Sequence, residues 1–259
     1  MKIATYNVNG VNGRLPVLLR WLELRRPEVV CLQELKAPDE KFPERAIREL
    51  GYDAVWHGQK SWNGVAILSK TPFDEVCRDL PGDDADEHAR LIEGVVPCES
   101  GIVRVCGIYL PNGNPVGTDK WFYKLSWMDR LHRYVEERLA LEEPFVILGD
   151  FNIIPMPHDA KNPANWTRDA LFQPESRAKH RALMNLGLTD AVRSIVDDDA
   201  YTFWDFKTFG WERDDGIRID HILCSPQAAD RLQGVRVHKE VRGWEKPSDH
   251  VPVEATFAL

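Results

Sequence analysis

The chain has 259 residues, 43% of them hydrophobic and 29% charged, with a formal net charge of −8. That length and composition suit a soluble globular domain near the upper size limit for a single core. No apolar run approaches the roughly 20 residues of a bilayer span, and the chain opens directly into a strand pattern without an apolar leader. A cytoplasmic monomer with no membrane contact is the expectation. The five cysteines, Cys31, Cys77, Cys98, Cys106 and Cys224, form neither C-x-x-C spacing nor a disulfide framework and are read as buried small hydrophobes. The negative charge alone leans towards a small-molecule substrate. The acids are bunched, however, at Asp83 to Glu87, Glu136-Glu137, Glu142-Glu143 and Asp197 to Asp199. Basic residues recur at Lys120, Lys124, Arg130 and Arg133 and at Arg177, Lys179 and Arg181, a local basic face compatible with phosphate binding.

In chain order, the first strand is expected over Lys2 to Val8. Leu15, Leu18, Leu19 and Leu22 then fall at helical spacing, and Pro27 closes that helix. A strand over Glu28 to Leu32 follows, then a short helix marked by Phe42, Ala46, Ile47 and Leu50 and ended by Gly51. Strands over Gly64 to Ser69 and Phe73 to Arg78 are separated only by a turn, which favours antiparallel pairing of the two. A strand over Ile102 to Leu110 leads to a long helix from Lys120 to Leu141 with Leu125, Met128, Val135 and Leu139 inward. After a strand over Phe145 to Leu148, Ala178, Ala182, Leu183 and Leu186 mark a fourth helix capped by Gly187. The last strands are Ile217 to Cys224 and Val251 to Phe257. Strict alternation of strand and helix, the mark of a doubly wound parallel sheet, is absent. Two packed mixed sheets with helices outside fit better, and no glycine-rich nucleotide loop is present.

The apolar strands share one feature. "FVILGDFN" ends in Asp150 and Asn152; "KIATYNVNG" ends in Asn7 and Asn9; "EVVCLQE" ends in Gln33-Glu34. "VRVCGIYLPNG" carries Tyr109 and Asn112, "GIRIDHIL" carries Asp220, and Asp249-His250 precede the last strand. Residues two apart on a strand share a side, so each Asp/Asn pair is expected to project together. A single case reads as a turn or a satisfied core polar group. So many together imply that the polar ends meet, because buried polar groups need partners. Oxygen-rich ligands with one imidazole suit a hard cation, Mg²⁺ or Mn²⁺, rather than structural zinc. Such an ion would assist hydrolysis of a phosphate ester.

The ordered set N-V-N-G, L-Q-E, Y-L-P-N-G, G-D-F-N, R-I-D and S-D-H resembles the exonuclease III family of apurinic/apyrimidinic endonucleases, within the endonuclease/exonuclease/phosphatase superfamily. The resemblance runs from Asn7 to His250. It implies a four-layer α/β/β/α sandwich of two mixed β-sheets flanked by helices, formed by one catalytic domain over residues 1–259. It also implies a Mg²⁺- or Mn²⁺-dependent DNA-repair nuclease acting on double-stranded DNA at 3′ ends and abasic sites, with 3′-phosphatase activity. By resemblance Glu34 is the principal metal ligand, with Asn7 and Asn9 beside it and Asp249 close by. Asp150 orients or deprotonates the attacking water, and Asn152 binds that water or the phosphate. Tyr109, Asn112 and Arg90 contact phosphate. The His250–Asp220 pair stabilises the phosphoryl oxyanion or activates water. Phe203 and Ile217, together with Ile219, line a pocket for a baseless sugar, while Trp204 packs in the core.

His221, one residue past Asp220, is expected on the opposite strand face in a structural role. The Trp121-Phe122-Tyr123 run is read as core with a part facing DNA. Two other functions share the same motifs: a phosphatase or phosphodiesterase acting on a small phosphorylated molecule or lipid, and a non-catalytic binding protein on the same fold.

Overall fold

The computed structural model describes all 259 residues. Twelve strands form two six-stranded sheets. In the first sheet β1 (Lys2–Asn7) pairs in parallel with β2 (Val29–Gln33) and antiparallel with β12 (Val253–Phe257). The edges are β3 (Asp53–His57), reached through β4 (Val65–Ser69), and β11 (Leu232–Val237). In the second sheet β8 (Phe145–Asp150) lies between β7 (Gly101–Tyr109), parallel to it, and β10 (Asp220–Cys224), antiparallel to it. Beyond them lie β6 (Leu91–Cys98) and β5 (Glu75–Arg78) on one side and the two-residue β9 (Thr189–Asp190) on the other. Both parallel pairs are joined by a helical crossover, as parallel neighbours require: α1 (Leu15–Arg25) joins β1 to β2, and, beyond the short α2 (Glu44–Glu49), α3 (Asp119–Leu139) joins β7 to β8.

Strand alternation builds the layers. Ile3, Val29, Cys31, Val65 and Ile67 turn inward to meet Val103, Val105, Val146, Leu148 and Ile222 of the second sheet. Their neighbours Ala4, Val30, Leu32, Ala66 and Leu68 turn outward onto Leu18, Trp21 and Leu22 of α1. Phe145 and Ile147 turn outward onto Trp127, Met128 and Leu131 of α3. Because both faces of each central strand are covered, these strands read as unbroken apolar runs. The expected four-layer sandwich of two mixed sheets is therefore the observed fold. No helix is long and apolar enough to cross a membrane.

Several local expectations are corrected. The segments expected at Gly64 to Ser69 and Phe73 to Arg78 do not pair with each other: β4 belongs to the first sheet and β5 to the second. The short connection crosses between sheets, something local sequence cannot register. β3, β6, β11 and the two-residue β9 were not expected as strands. β3 and β11 are half-buried edge strands, and β6 carries Glu93, Gly94 and Pro97, which interrupt its apolar run. Buried Glu93 is held by Arg104, Arg138 and the Tyr134 hydroxyl. On α3 the inward face runs through Trp121, Lys124, Trp127, Met128, Leu131, Tyr134 and Val135, leaving Leu125 and Leu139 only half-buried. In α4 (Pro174–Met184) Ala178 and Ala182 are exposed, and Ser176, His180 and Leu183 face inward. Cys31, Cys106 and Cys224 are buried, but Cys77 and Cys98 sit half-exposed on β5 and β6.

A buried ionic network fixes the segment that leads into β10. Asp159 accepts from Arg218 Nε at 2.7 Å and Arg193 Nη2 at 2.6 Å, and Arg218 Nη1 reaches Asp190 at 2.8 Å. Burial opposes the charge on Asp159, but Arg218 and Arg193 outweigh it and hold the carboxyl well below its ordinary value. With the folded value below the unfolded one, the stabilisation is complete above the unfolded carboxylate range of about 4 and is lost as pH falls through the folded value. Asp159→Asn should therefore lower stability at neutral pH and flatten the loss of stability on the acid side. Denaturant midpoints measured from neutral to acid pH check this, and parallel curves for the two proteins would contradict it.

Candidate active site

The site forms where the C-terminal ends of β1, β2, β7 and β8 converge. In the second sheet Asp150 lies opposite Tyr109 on β7 and opposite Asp220 on β10. Gly149 permits this arrangement: at φ +150°, a Cβ there would lie 1.9 Å from the Ile108 carbonyl oxygen. Asp150 and Asn152 do face one region, but by a route other than strand alternation. β8 stops at Asp150, and Asn152 is left-handed at φ 48°, a conformation Asn tolerates. Its N–H donates to Asp150 Oδ1 at 2.9 Å, its Nδ2 donates to the Leu110 carbonyl at 2.9 Å, and its Oδ1 accepts from Asn112 Nδ2 at 3.0 Å.

The first sheet supplies the other half. Asn7 Nδ2 donates to Glu34 Oε1 at 2.9 Å and to Asp150 Oδ2 at 3.0 Å, so one carboxamide bridges the two sheets. Asn9 does not project beside Asn7 along a strand. It is left-handed at φ 45°, its N–H caps Asn7 Oδ1, and its Nδ2 donates to Asp249 Oδ1 at 2.9 Å. Lys36 Nζ lies 2.6 Å from both Glu34 Oε2 and Asn9 Oδ1, joining the Glu34 group to the Asn9–Asp249 pair. Burial would raise the Glu34 pKa, but Lys36 and the Asn7 hydrogen bond bring it below the usual carboxylate range.

His250 Nδ1 is 2.8 Å from Asp220 Oδ2, which also accepts from Thr202 Oγ1 at 2.6 Å. His250 Nε2 points to Asp150 Oδ2, 3.8 Å away. Burial disfavours the imidazolium, yet the charge and hydrogen bond of Asp220 outweigh it and hold His250 well towards the cation. Asp150 moves the opposite way from an ordinary carboxylate. Burial raises its affinity for a proton, with Asp220 and Glu34 adding to the rise and His250 opposing it. Burial beside Glu34 and Asp150 also raises the Tyr109 phenol well above its ordinary value, so it remains a hydroxyl donor. The site thus combines an imidazole shifted towards the cation by Asp220, a carboxylate shifted towards protonation by burial, and several neutral donors.

At the rim, Arg90 stacks over Tyr109 at 4.9 Å and donates to its carbonyl at 3.1 Å. A groove of about 570 Å³ runs outward past Gln59, Trp62, Arg90, Tyr109, Asn112 and Lys120. Phe203 is half-buried with its ring 4.9 Å from the His250 ring, and it bridges by backbone to Ile217. Ile217 and Ile219 are enclosed in a small cluster with Ile154, Ala160 and Leu171, so of the expected pocket residues Phe203 alone keeps exposed surface. Trp204 is fully buried. His221 Nε2 lies 3.1 Å from the Ile153 carbonyl and its Nδ1 2.9 Å from Arg218 Nη1, the structural role expected. Trp121 is buried, Phe122 exposed, and Tyr123 beside the groove.

Lys36, Thr202 and Ser248, whose Oγ donates to the Asn7 carbonyl at 2.8 Å, are site residues that the sequence reading missed. Lys36, two residues after Glu34, and Ser248, the first residue of the S-D-H motif, had positional clues. The expected basic face also changes. Lys124 is fully buried, and Arg130 donates to the carbonyls of Leu80 and Pro81 and to Asp86, so neither is available to a ligand at the surface.

Glu34, Asp150 and His250 present ligand atoms within 4.8 Å of one another. The carboxylate oxygens of Glu34 and Asp150, already holding the Lys36 ammonium against Glu34, fit a hard divalent cation, with His250 beside them as a hydrogen-bond donor. The endonuclease/exonuclease/phosphatase family model matches residues 4–250. The chain belongs to that family. Exodeoxyribonuclease III of Haemophilus influenzae is 35% identical over 99% of this chain and 100% of its own length. The solved 3′-5′ exonuclease NExo of Neisseria meningitidis superposes with a TM-score of 0.95 at 39% identity over the whole of both chains. A structure of the 3′ phosphatase NExo from Neisseria bound to a product DNA hairpin gives 0.96 at 38% identity over both whole chains. An AP endonuclease from Archaeoglobus fulgidus gives 0.94 at 34%, again over both whole chains. Within the family the chain is a metal-dependent phosphodiester hydrolase, a DNA-repair nuclease of the exonuclease III and AP-endonuclease type.

Proposed function

We propose that the substrate is double-stranded DNA, attacked at 3′ ends by 3′→5′ exonuclease and 3′-phosphatase action and at abasic sites by endonuclease action, with Mg²⁺ or Mn²⁺ as the ion. The observation that carries this reading is the convergence of Glu34, Asp150 and His250 beside the Arg90–Asn112 groove. Glu34, with Asn7, Asn9 and Asp249 around it, would hold the ion. When bound, the ion neutralises phosphate oxygens and makes water easier to ionise. Asp150 takes the proton from the attacking water. The water oxygen bonds to phosphorus, one P–O ester bond breaks, and the departing alkoxide takes its proton from solvent water. Cationic His250, held by Asp220, offers its Nε2–H to a phosphoryl oxygen as negative charge grows there. Tyr109, Asn152, Asn112 and Arg90 donate to the remaining oxygens.

Three duplexes, one with an abasic analogue, one with a recessed 3′ end and one with a 3′-phosphate, incubated with and without Mg²⁺, test the reading. Metal-dependent products from each are expected. The net charge of −8 and the burial of Lys124 and Arg130 favour a second reading, a phosphodiesterase of small phosphorylated molecules or lipids. Turnover of such compounds with all three DNA substrates left intact would decide for it.

Phe203, beside His250 and Ile217, would sense whether a sugar carries a base. Extrusion is cheapest where no base is stacked or paired, and a ring at that position leaves little room for one. Phe203→Ala should raise cleavage at intact nucleotides relative to abasic sites, by about tenfold, with a small shift in the thermal melt. A large melt shift with unchanged selectivity would return Phe203 to a packing role.

A further inference from the structure

Asn112 and Asn152, the amides read as phosphate contacts, sit on separate loops, one after β7 and one after β8. Beneath both lies a side chain from α3. Lys124 Nζ donates to the Asn112 carbonyl at 3.0 Å and to the Asn152 carbonyl at 2.6 Å, with the Ala170 carbonyl at 3.5 Å. The side chain is fully buried. The loop closes on its stem: Gly113, at φ +87°, would bring a Cβ within 2.5 Å of Lys124 Cδ, so only glycine allows the approach. Asn114 ties the same loop to the next one, donating to Asp169 Oδ1 at 2.9 Å and accepting from the Ala170 N–H at 3.0 Å.

We infer that Lys124 is a positioning residue for phosphodiester hydrolysis, clamping the Asn112 and Asn152 loops so that their carboxamides face the phosphate together. The inference rests on the phosphate-contact reading of these two amides. A buried ammonium is costly unless hydrogen-bonded, and burial pulls the Lys124 pKa down to about 7, against Asp169 and Asp150. A hydrophobe would fill that space at lower cost but would leave the two loop carbonyls unpartnered. The loops are also joined by the Asn112–Asn152 carboxamide bond at 3.0 Å, by Asn152 Nδ2 on the Leu110 carbonyl and by Asn114 on Asp169; what the lysine adds is one donor held by the backbone carbonyls of both phosphate-facing residues. Displacement of catalytic contacts by about 1 Å can cost about 10²-fold in rate.

The test is a double-mutant cycle in single-turnover assays well below the melting temperature, pairing Lys124→Met with Asn112→Ala and with Asn152→Ala. Lys124→Met should lower turnover by about 10²-fold while Mg²⁺ affinity, read by calorimetry, stays unchanged because no Lys124 contact reaches Glu34. Each double variant should lose little more than its worse single variant. Lys124→Arg, which keeps the donors, should recover part of the rate. If Lys124→Met does not fold, Lys124→Gln enters the same cycle, with the same non-additivity expected. Losses that multiply, or a melt shift with normal turnover, would overturn the clamp and leave the amide reading standing. Normal turnover in both Asn→Ala variants would instead overturn the amide reading, and the clamp with it.

Discussion

Asp150→Asn should lower turnover by about 10³-fold, within the range for loss of a general base, with little change in affinity for DNA. The substitution preserves shape, and the introduced amide can still accept the Asn152 N–H that Asp150 Oδ1 accepts at 2.9 Å. It removes the one carboxylate that burial makes receptive to a proton, placed 3.8 Å from His250 Nε2 and 3.0 Å from Asn7 Nδ2. Loss of that negative charge relieves Glu34 and Asp220 but removes a partner of His250 and the acceptor of Asn7 Nδ2, so the change in the melt should be small beside the loss of turnover. Single-turnover kinetics beside equilibrium binding and a thermal melt separate the possibilities. Normal single-turnover chemistry with weakened DNA binding would remove Asp150 from proton handling.

Glu34→Ala should be nearly as damaging, by about 10³-fold at millimolar Mg²⁺, because the interaction lost is several kcal/mol of charge stabilisation. Glu34 follows β2 in a left-handed conformation and directs its carboxylate to Asn7 and Lys36 rather than into apolar packing. The fold should therefore survive. The midpoint for Mg²⁺ activation should move to higher concentration, and calorimetry should show the same weakening without DNA present. Asp220→Asn provides a contrast: it should release His250 and lower turnover while leaving metal affinity intact. An unchanged metal midpoint in Glu34→Ala, with normal turnover, would take Glu34 out of the site.

The central strands and the polar residues at their ends were legible in the sequence. Strands such as Phe145 to Leu148 are covered on both faces, so every residue in them is apolar and the run stands out locally. A buried carboxylate or carboxamide at the end of such a run stands out for the same reason, because it needs a partner. That is why Glu34, Asp150, Asp220 and His250 could all be picked out of a linear chain. Edge strands carry no such mark. β3 and β11 are half-buried and polar on one side, and β11 contains a bulge near Gly234.

What the tertiary structure alone decided is how those residues meet. Asp150 and Asn152 converge through a left-handed turn rather than strand alternation, and Asn7 joins Glu34 to Asp150 across two different sheets. The short connection after β4 changes sheet, although its sequence suits a hairpin equally well. Lys124 and Arg130 carry charge and look like surface residues in the sequence, yet both are buried, because backbone carbonyls far away in the chain meet their donors. Burial, side-chain direction and hydrogen-bond partners depend on segments tens to hundreds of residues apart. Local composition and periodicity carry the tendency of a segment to form a strand or helix and the need of its polar groups for partners; the packing of two sheets supplies those partners and fixes their distances.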